Sequence, residues 1–286
     1  HAPHRFTQGG VEFAVIAAPG AEGEDNLLVW LPKQRALFSG DFFGPLFPML
    51  PNLFTLRGEK FRHPIDYLAS LDQVIALAPD IILPSHFDPR TEDLQRDLLL
   101  MRNATAYVHD QTVAGMNAGK SLWQLMREVQ LPPDLAISEG HGKVSWNVRS
   151  IWEYYSTWFR FESTTELYPV PVHSLYSELA ALAGGADGLT SLAQEKLDAA
   201  QSVGSDAGNK ASNSASNKES NIVQALHLVE IALSANADYQ PALALRLAAL
   251  QALLQQAENT SGNYSEIGWL NSRIAATRKQ LDDHAP

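Results

Sequence analysis

An α/β segment followed by an all-α region is the architecture this 286-residue sequence predicts, and three features predict it. Between about residues 10 and 90, short β-like apolar runs are separated by Gly, Pro and Asp turns, with one helical stretch before the last run. From about 91 to 160 the apolar spacing changes to steps of three and four residues. A polar stretch at 201–221 then leads into alanine-rich helical faces.

The opening HAPHRF has neither an initiator Met nor a signal-peptide profile, and is expected to be a cleavage product or the edge of a fragment. The β-like runs are VEFAVIAAP at 11–19, NLLVWLP at 26–32, RALFSGD at 35–41 and DIILPSH at 80–86. PIDYLASLDQVIALAP, at 64–79, starts on a proline, whose fixed φ suits the first turn of a helix. Helical period continues through 93–119 and 121–130, and the breaks LPPD and SEGHGK separate further helices. QSVGSDAGNKASNSASNKESN, at 201–221, has almost nothing to bury and is expected to be a flexible linker or loop. The helices after it, joined at ANADYQP, resemble one tetratricopeptide-like hairpin. The expected boundaries are 1–95 for the α/β part, 96–200 for a helical domain, 201–221 for the linker and 222–286 for the hairpin.

Composition narrows the partners. At 45% hydrophobic and 19% charged residues, the chain can bury a substantial core. A net charge of −11 argues against nucleic acid, whose phosphates demand clustered Lys and Arg, and leaves small molecules and proteins. With no cysteine, any transition metal must be held by His, Asp and Glu. No apolar run has the length of a bilayer span.

Three polar residues recur where a β-like run ends: Glu22 in APGAEGEDN, Asp41 in LFSGDFF and His86 in LPSHFDP. Strand ends of layered α/β folds converge on one edge, so residues distant in sequence can meet there. Two carboxylates and an imidazole are a ligand set suited to zinc, manganese or iron. Each also has a plain alternative, as a solvated loop acid, a turn former after Gly40 and a loop histidine.

APGAEGEDNLLVWLPKQRALFSGDFFG, NLFTLRGEKFR, LPSHFDP, YVHDQTVAGMNAGK and GKVSWNVRSIWEYYSTWF occur in this order, and together they resemble the alkyl sulfatase group of metallo-β-lactamase-fold hydrolases. The likeness covers roughly residues 10–285 apart from the linker. It implies the C-terminal half of an αββα sandwich followed by a helical dimerisation domain, hence a homodimer. It also implies a dinuclear centre of two zinc ions, with Glu22 on one metal, His86 on the other and Asp41 between them. Glu24 is the competing acid in the first turn. The family's His-x-His-x-Asp-His motif, which supplies the other ligands, does not occur here, and His1 and His4 have the wrong spacing for it.

The activity implied is hydrolysis of alkyl sulfate esters by metal-activated water. Arg57 and Asn52 would bind the sulfate, because a guanidinium offers a planar fork of donors to a permanent monoanion; the alternative for Arg57 is a surface pair with Glu59. Another ester, a lactone or a thioester is the alternative substrate, and a non-catalytic helical assembly module with a vestigial half-site is the alternative function. His109, beside Tyr107 in the helical stretch, is expected to be a satisfied interface histidine, His63 a loop residue and His141 a residue at a cleft entrance. Trp146, Trp152, Tyr154, Tyr155, Trp158 and Phe159 are expected in core or dimer contacts, and an apolar channel for an alkyl chain is expected in this helical region.

Overall fold

The computed structural model of the chain describes residues 2–58, 60, 62–160, 162–202 and 211–283. By packing, the chain divides into two compact units, 1–161 and 162–286. The division thus falls at neither 95 nor 200. Helices beyond residue 95 bury their apolar faces in the same core as the sheet, so no boundary forms there.

The first unit is built on a five-stranded sheet of β1 (His4–Gln8), β2 (Val11–Ala17), β3 (Leu27–Leu31), β4 (Ala36–Gly40) and β5 (Ile81–Pro84), ordered as in sequence. β1 to β4 pair antiparallel, whereas β5 lies parallel to β4 after the crossover through α1 (Pro64–Leu77). The α/β class expected from the sequence is therefore the one observed. The strand β1 was not expected: all five of its residues are exposed, so the buried-face alternation that marks a strand is missing.

Alternation sorts the sheet into two faces. Ala14, Ile16, Leu28, Trp30, Leu37 and Ile82 turn inward and are almost fully buried. They share one core with Tyr67 and Leu71 of α1, Leu98 and Met101 of α2 (Leu94–Asn117), Leu122 and Leu125 of α3 (Leu122–Glu128), and Val148 and Ile151 of α4 (Val144–Ser156). The other face presents a cross-strand row, Val15, Val29, Phe38 and Leu83 in register, of which Phe38 is 44% exposed. Helices thus cover the inner face, while the outer one carries apolar side chains half open to solvent.

The second unit is helical: α5 (Tyr176–Leu182), α6 (Ala186–Ser202), α7 (Ala211–Ala235), α8 (Gln240–Asn259) and α9 (Tyr264–Asp283). Its core is mostly alanine, with Ala193, Ala225, Ala232, Ala242 and Ala249 fully buried, which lets helices approach closely. The expected linker needs correction. α6 continues to Ser202 and α7 begins at Ala211, so only 203–210, which lie outside the described residues, remain between them. Polar composition misled the reading because residues 217–220 form an exposed helical turn just before the buried Ile222. A third helix, α9, packs on α8 through Leu270 and Ile274 and extends the expected hairpin.

Candidate metal and anion-binding site

The strand directions decide what can meet. β2, β4 and β5 run the same way, since β3 is antiparallel to both of its neighbours and β5 is parallel to β4. Their C-terminal ends therefore open on one edge, followed by Glu22, Asp41 and His86 respectively.

Asp41 and His86 come together there. The His86 Nε2 lies 3.1 Å from Asp41 Oδ1, and the Ser85 hydroxyl donates to the same oxygen. Neighbouring parallel strands are about 4.8 Å apart, which is why residues one and two places past β4 and β5 can touch. The pair is accessible, with side-chain exposures of 55% for His86 and 41% for Asp41.

Glu22, two strands away, does not join them. Its carboxylate forms an ion pair with Arg62 Nη2, and Oε1 lies 3.5 Å from Arg57 Nη2. Arg62, which the sequence reading did not single out, is the anchor of this edge: it is 3% exposed and donates from Nε to the Ala21 carbonyl (2.8 Å) and from Nη1 to the Asn52 carbonyl (3.0 Å). One guanidinium thus ties the turn after β2 to the loop at 52. A lone Arg just before a helix gives no sequence signal of burial, so only the fold reveals it. Arg57, by contrast, has a side chain 69% exposed, and its competing partner Glu59 lies outside the described residues.

Asn52 is buried, at 2% exposure, and its Oδ1 has no hydrogen-bond partner among the described residues. It stands in the wall of the site rather than on its surface. His141 is buried as well. Its Nδ1 is 3.1 Å from Met49 Sδ, and its ring lies against Gly44, where a Cβ would come within 2.6 Å of Cε1. Gly44, at φ +66°, donates its N–H to the Asp41 carbonyl, so the turn carrying Asp41 is shaped to admit this imidazole. Burial, with the Arg62 and Arg57 charges, pushes His141 down to about 3, which keeps it neutral. Burial also raises the Tyr67 hydroxyl well above the usual phenol range, against the nearby Arg62 charge.

The other sequence candidates lie elsewhere. His109 bridges Asp110 (2.9 Å) and the Tyr155 hydroxyl (2.7 Å), joining α2 to α4, as expected of an interface histidine. His63 packs against Tyr154. Trp152 is buried in the core, and Trp158 is 70% exposed.

Zinc ligands at about 2.0–2.2 Å around a tetrahedral ion lie about 3.3 Å apart, so Asp41 Oδ1 and His86 Nε2 are spaced like two ligands of one ion. A catalytic zinc takes three protein ligands. Among the described residues no group of three or more His, Asp and Glu side chains is placed to hold a metal. The expected convergence of Glu22 with Asp41 and His86 is therefore corrected: the arginines hold Glu22 on its own, and the chain's residues fit a metal only in part.

The model for "Alkyl sulfatase dimerisation" matches residues 122–203. A linear primary-alkylsulfatase of Pseudomonas sp. (strain ATCC 19151) is 37% identical over 188 residues, covering 63% of this chain and 35% of that protein. An alkyl/aryl-sulfatase of Saccharomyces cerevisiae is 25% identical over 196 residues, covering 65% of this chain and 30% of that protein. Among solved structures, the stereoselective inverting sec-alkylsulfatase Pisa1 from Pseudomonas sp. aligns with a TM-score of 0.77 at 20% identity, over 100% of this chain and 42% of that one, a likeness of fold. The chain thus spans about a third of the length of the curated relatives it matches. Residues 122–203 thus match the alkyl sulfatase dimerisation family, and the chain is similar in sequence and in fold to alkylsulfatases.

Proposed function

We propose that this chain forms the anion-binding wall and a two-donor share of the metal centre of a hydrolase for alkyl sulfate esters. One observation carries the reading: an accessible Asp41–His86 pair with ligand spacing opens on the same strand edge as Glu22, which holds the exposed Arg57. The names of the relatives agree with it, since they are alkylsulfatases.

Arg57 is the proposed contact to the sulfate. A guanidinium stays charged at any working pH and pairs two donors with two sulfate oxygens. Glu22 would orient it, and Arg62 would hold Glu22 in place. Asn52, buried behind the same loop, is the proposed neutral group beside the anion. The Asp41 carboxylate fixes the His86 ring, and Ser85 fixes the carboxylate. Asp41 and His86 would be the donors this chain offers to a zinc pair, since the His-x-His-x-Asp-His motif does not occur in its sequence.

Self-association is proposed through the matched segment. Leu167, Tyr168, Val170, Val172, Leu175 and Leu182 are all more than half exposed, and such a run of apolar side chains favours burial against a second copy.

The test uses the complete protein that contains this chain. We expect bound zinc by elemental analysis and sulfate release from octyl sulfate, with both lost in His86→Ala, whereas Arg57→Ala raises KM at least about tenfold. Unchanged metal content and turnover in His86→Ala would sink the reading. That no third donor joins Asp41 and His86 among the described residues favours a second reading, a non-catalytic assembly segment, and hydrolysis absent from the wild-type protein is what that predicts.

A further inference from the structure

A groove of about 350 Å³ adjoins the loop that carries Arg57. It is lined by Phe54 and Leu56 of the loop, Met126 of α3, and Trp146, Arg149 and Glu153 of α4. Its volume falls at the lower end of clefts that hold small molecules. A flexible thioether beside an aromatic face adapts to a chain with many rotamers.

The loop geometry ties this groove to the anion contact. Gly58 N–H donates to the Thr55 carbonyl at 3.0 Å, so Thr55 to Gly58 form a tight turn with Leu56 and Arg57 at its two central positions. Two adjacent residues thus supply the two kinds of contact: Arg57 lies 3.5 Å from Glu22, and Leu56, 58% exposed, lines the groove. Glycine at 58 lets the chain leave the turn at a φ of +97°. An alkyl sulfate has the matching form, an anion joined directly to an apolar chain. A neighbouring hollow of about 570 Å³ shares Phe54, Lys60 and Glu153 with the groove and continues it toward Tyr154 and Trp158, giving a longer chain somewhere to go.

We propose that this groove receives the alkyl tail of the ester and sets the chain-length preference, with Leu56 and Trp146 as the residues that read length. The inference rests on the sulfate-ester reading above. Lys60, 5.4 Å from the centre of the Phe54 ring, and the Arg149–Glu153 pair at 3.0 Å add charged groups to the otherwise largely apolar lining.

The experiment measures kcat and KM of the complete protein on hexyl, octyl and decyl sulfate, for wild type, Leu56→Ala and Trp146→Ala. Each methylene that enters the groove should lower the wild-type KM by up to about fourfold. Both variants should flatten that dependence, raising KM for decyl sulfate by about tenfold while changing kcat/KM for hexyl sulfate by less than about twofold. Leu56 is a surface residue, so its variant remains informative if Trp146→Ala folds poorly. Variants that scale all three esters equally, or leave all three unchanged, would overturn the groove assignment. Failure of the wild-type protein to turn over any of them would overturn the sulfate reading and the groove with it, a different and recognisable result.

Discussion

Acidification tests the burial of His141 directly. Its ring is 4% exposed, and the low dielectric around it together with the Arg62 and Arg57 charges lowers its pKa from 6.5 to about 3. The folded pKa is depressed, so between pH 6.5 and about 3 the unfolded chain binds a proton that the folded chain does not. Stability then rises with pH across that window, and is lost as pH falls. Going from pH 7 to pH 5, one group shifted this far should cost the fold about 2 kcal/mol. The assay is urea unfolding at both pH values followed by tryptophan fluorescence, which reports mainly the first unit because five of the six tryptophans, Trp30, Trp123, Trp146, Trp152 and Trp158, lie in it and only Trp269 lies in the second. His141→Gln keeps a polar side chain and removes the titration, and carboxylates common to both proteins cancel in the difference. Wild type should lose about 2 kcal/mol more than the variant. Equal losses, or an imidazole seen by NMR to titrate near 6.5, would refute the argument.

Two further outcomes follow from the same structure. Arg62→Ala should destabilise the first unit by about 3–5 kcal/mol, because it leaves Glu22 and the Ala21 and Asn52 carbonyls without their buried partner; thermal denaturation checks this, and a loss below about 1 kcal/mol would mean that the guanidinium is not a structural anchor. If the proposed self-association holds, Leu182→Asp, at a position 85% exposed, should weaken it at least about tenfold in sedimentation, whereas an unchanged sedimentation profile would remove this segment from the proposed contact.

How far the sequence went depends on whether the signal is local. The runs at 11–19, 26–32, 35–41 and 80–86 became strands, and 64–79 became α1, because periodicity and the bounding Pro and Gly residues act within one element. Strand β1 and residues 217–220 of α7 were illegible for one shared reason: their side chains are exposed, and exposed positions impose no pattern. Of the site, the adjacency of Asp41 and His86 follows from reading both as the ends of neighbouring strands.

By itself, then, the sequence determined which residues stand at strand ends and which faces are apolar, since both follow from local spacing and turn chemistry. Tertiary structure alone decided the rest. It buried Arg62, gave Glu22 to the arginines instead of to Asp41 and His86, and laid His141 against Gly44. Those outcomes depend on the desolvation of charge and on close approach between segments far apart in the chain. Neither quantity has a value until the chain has folded.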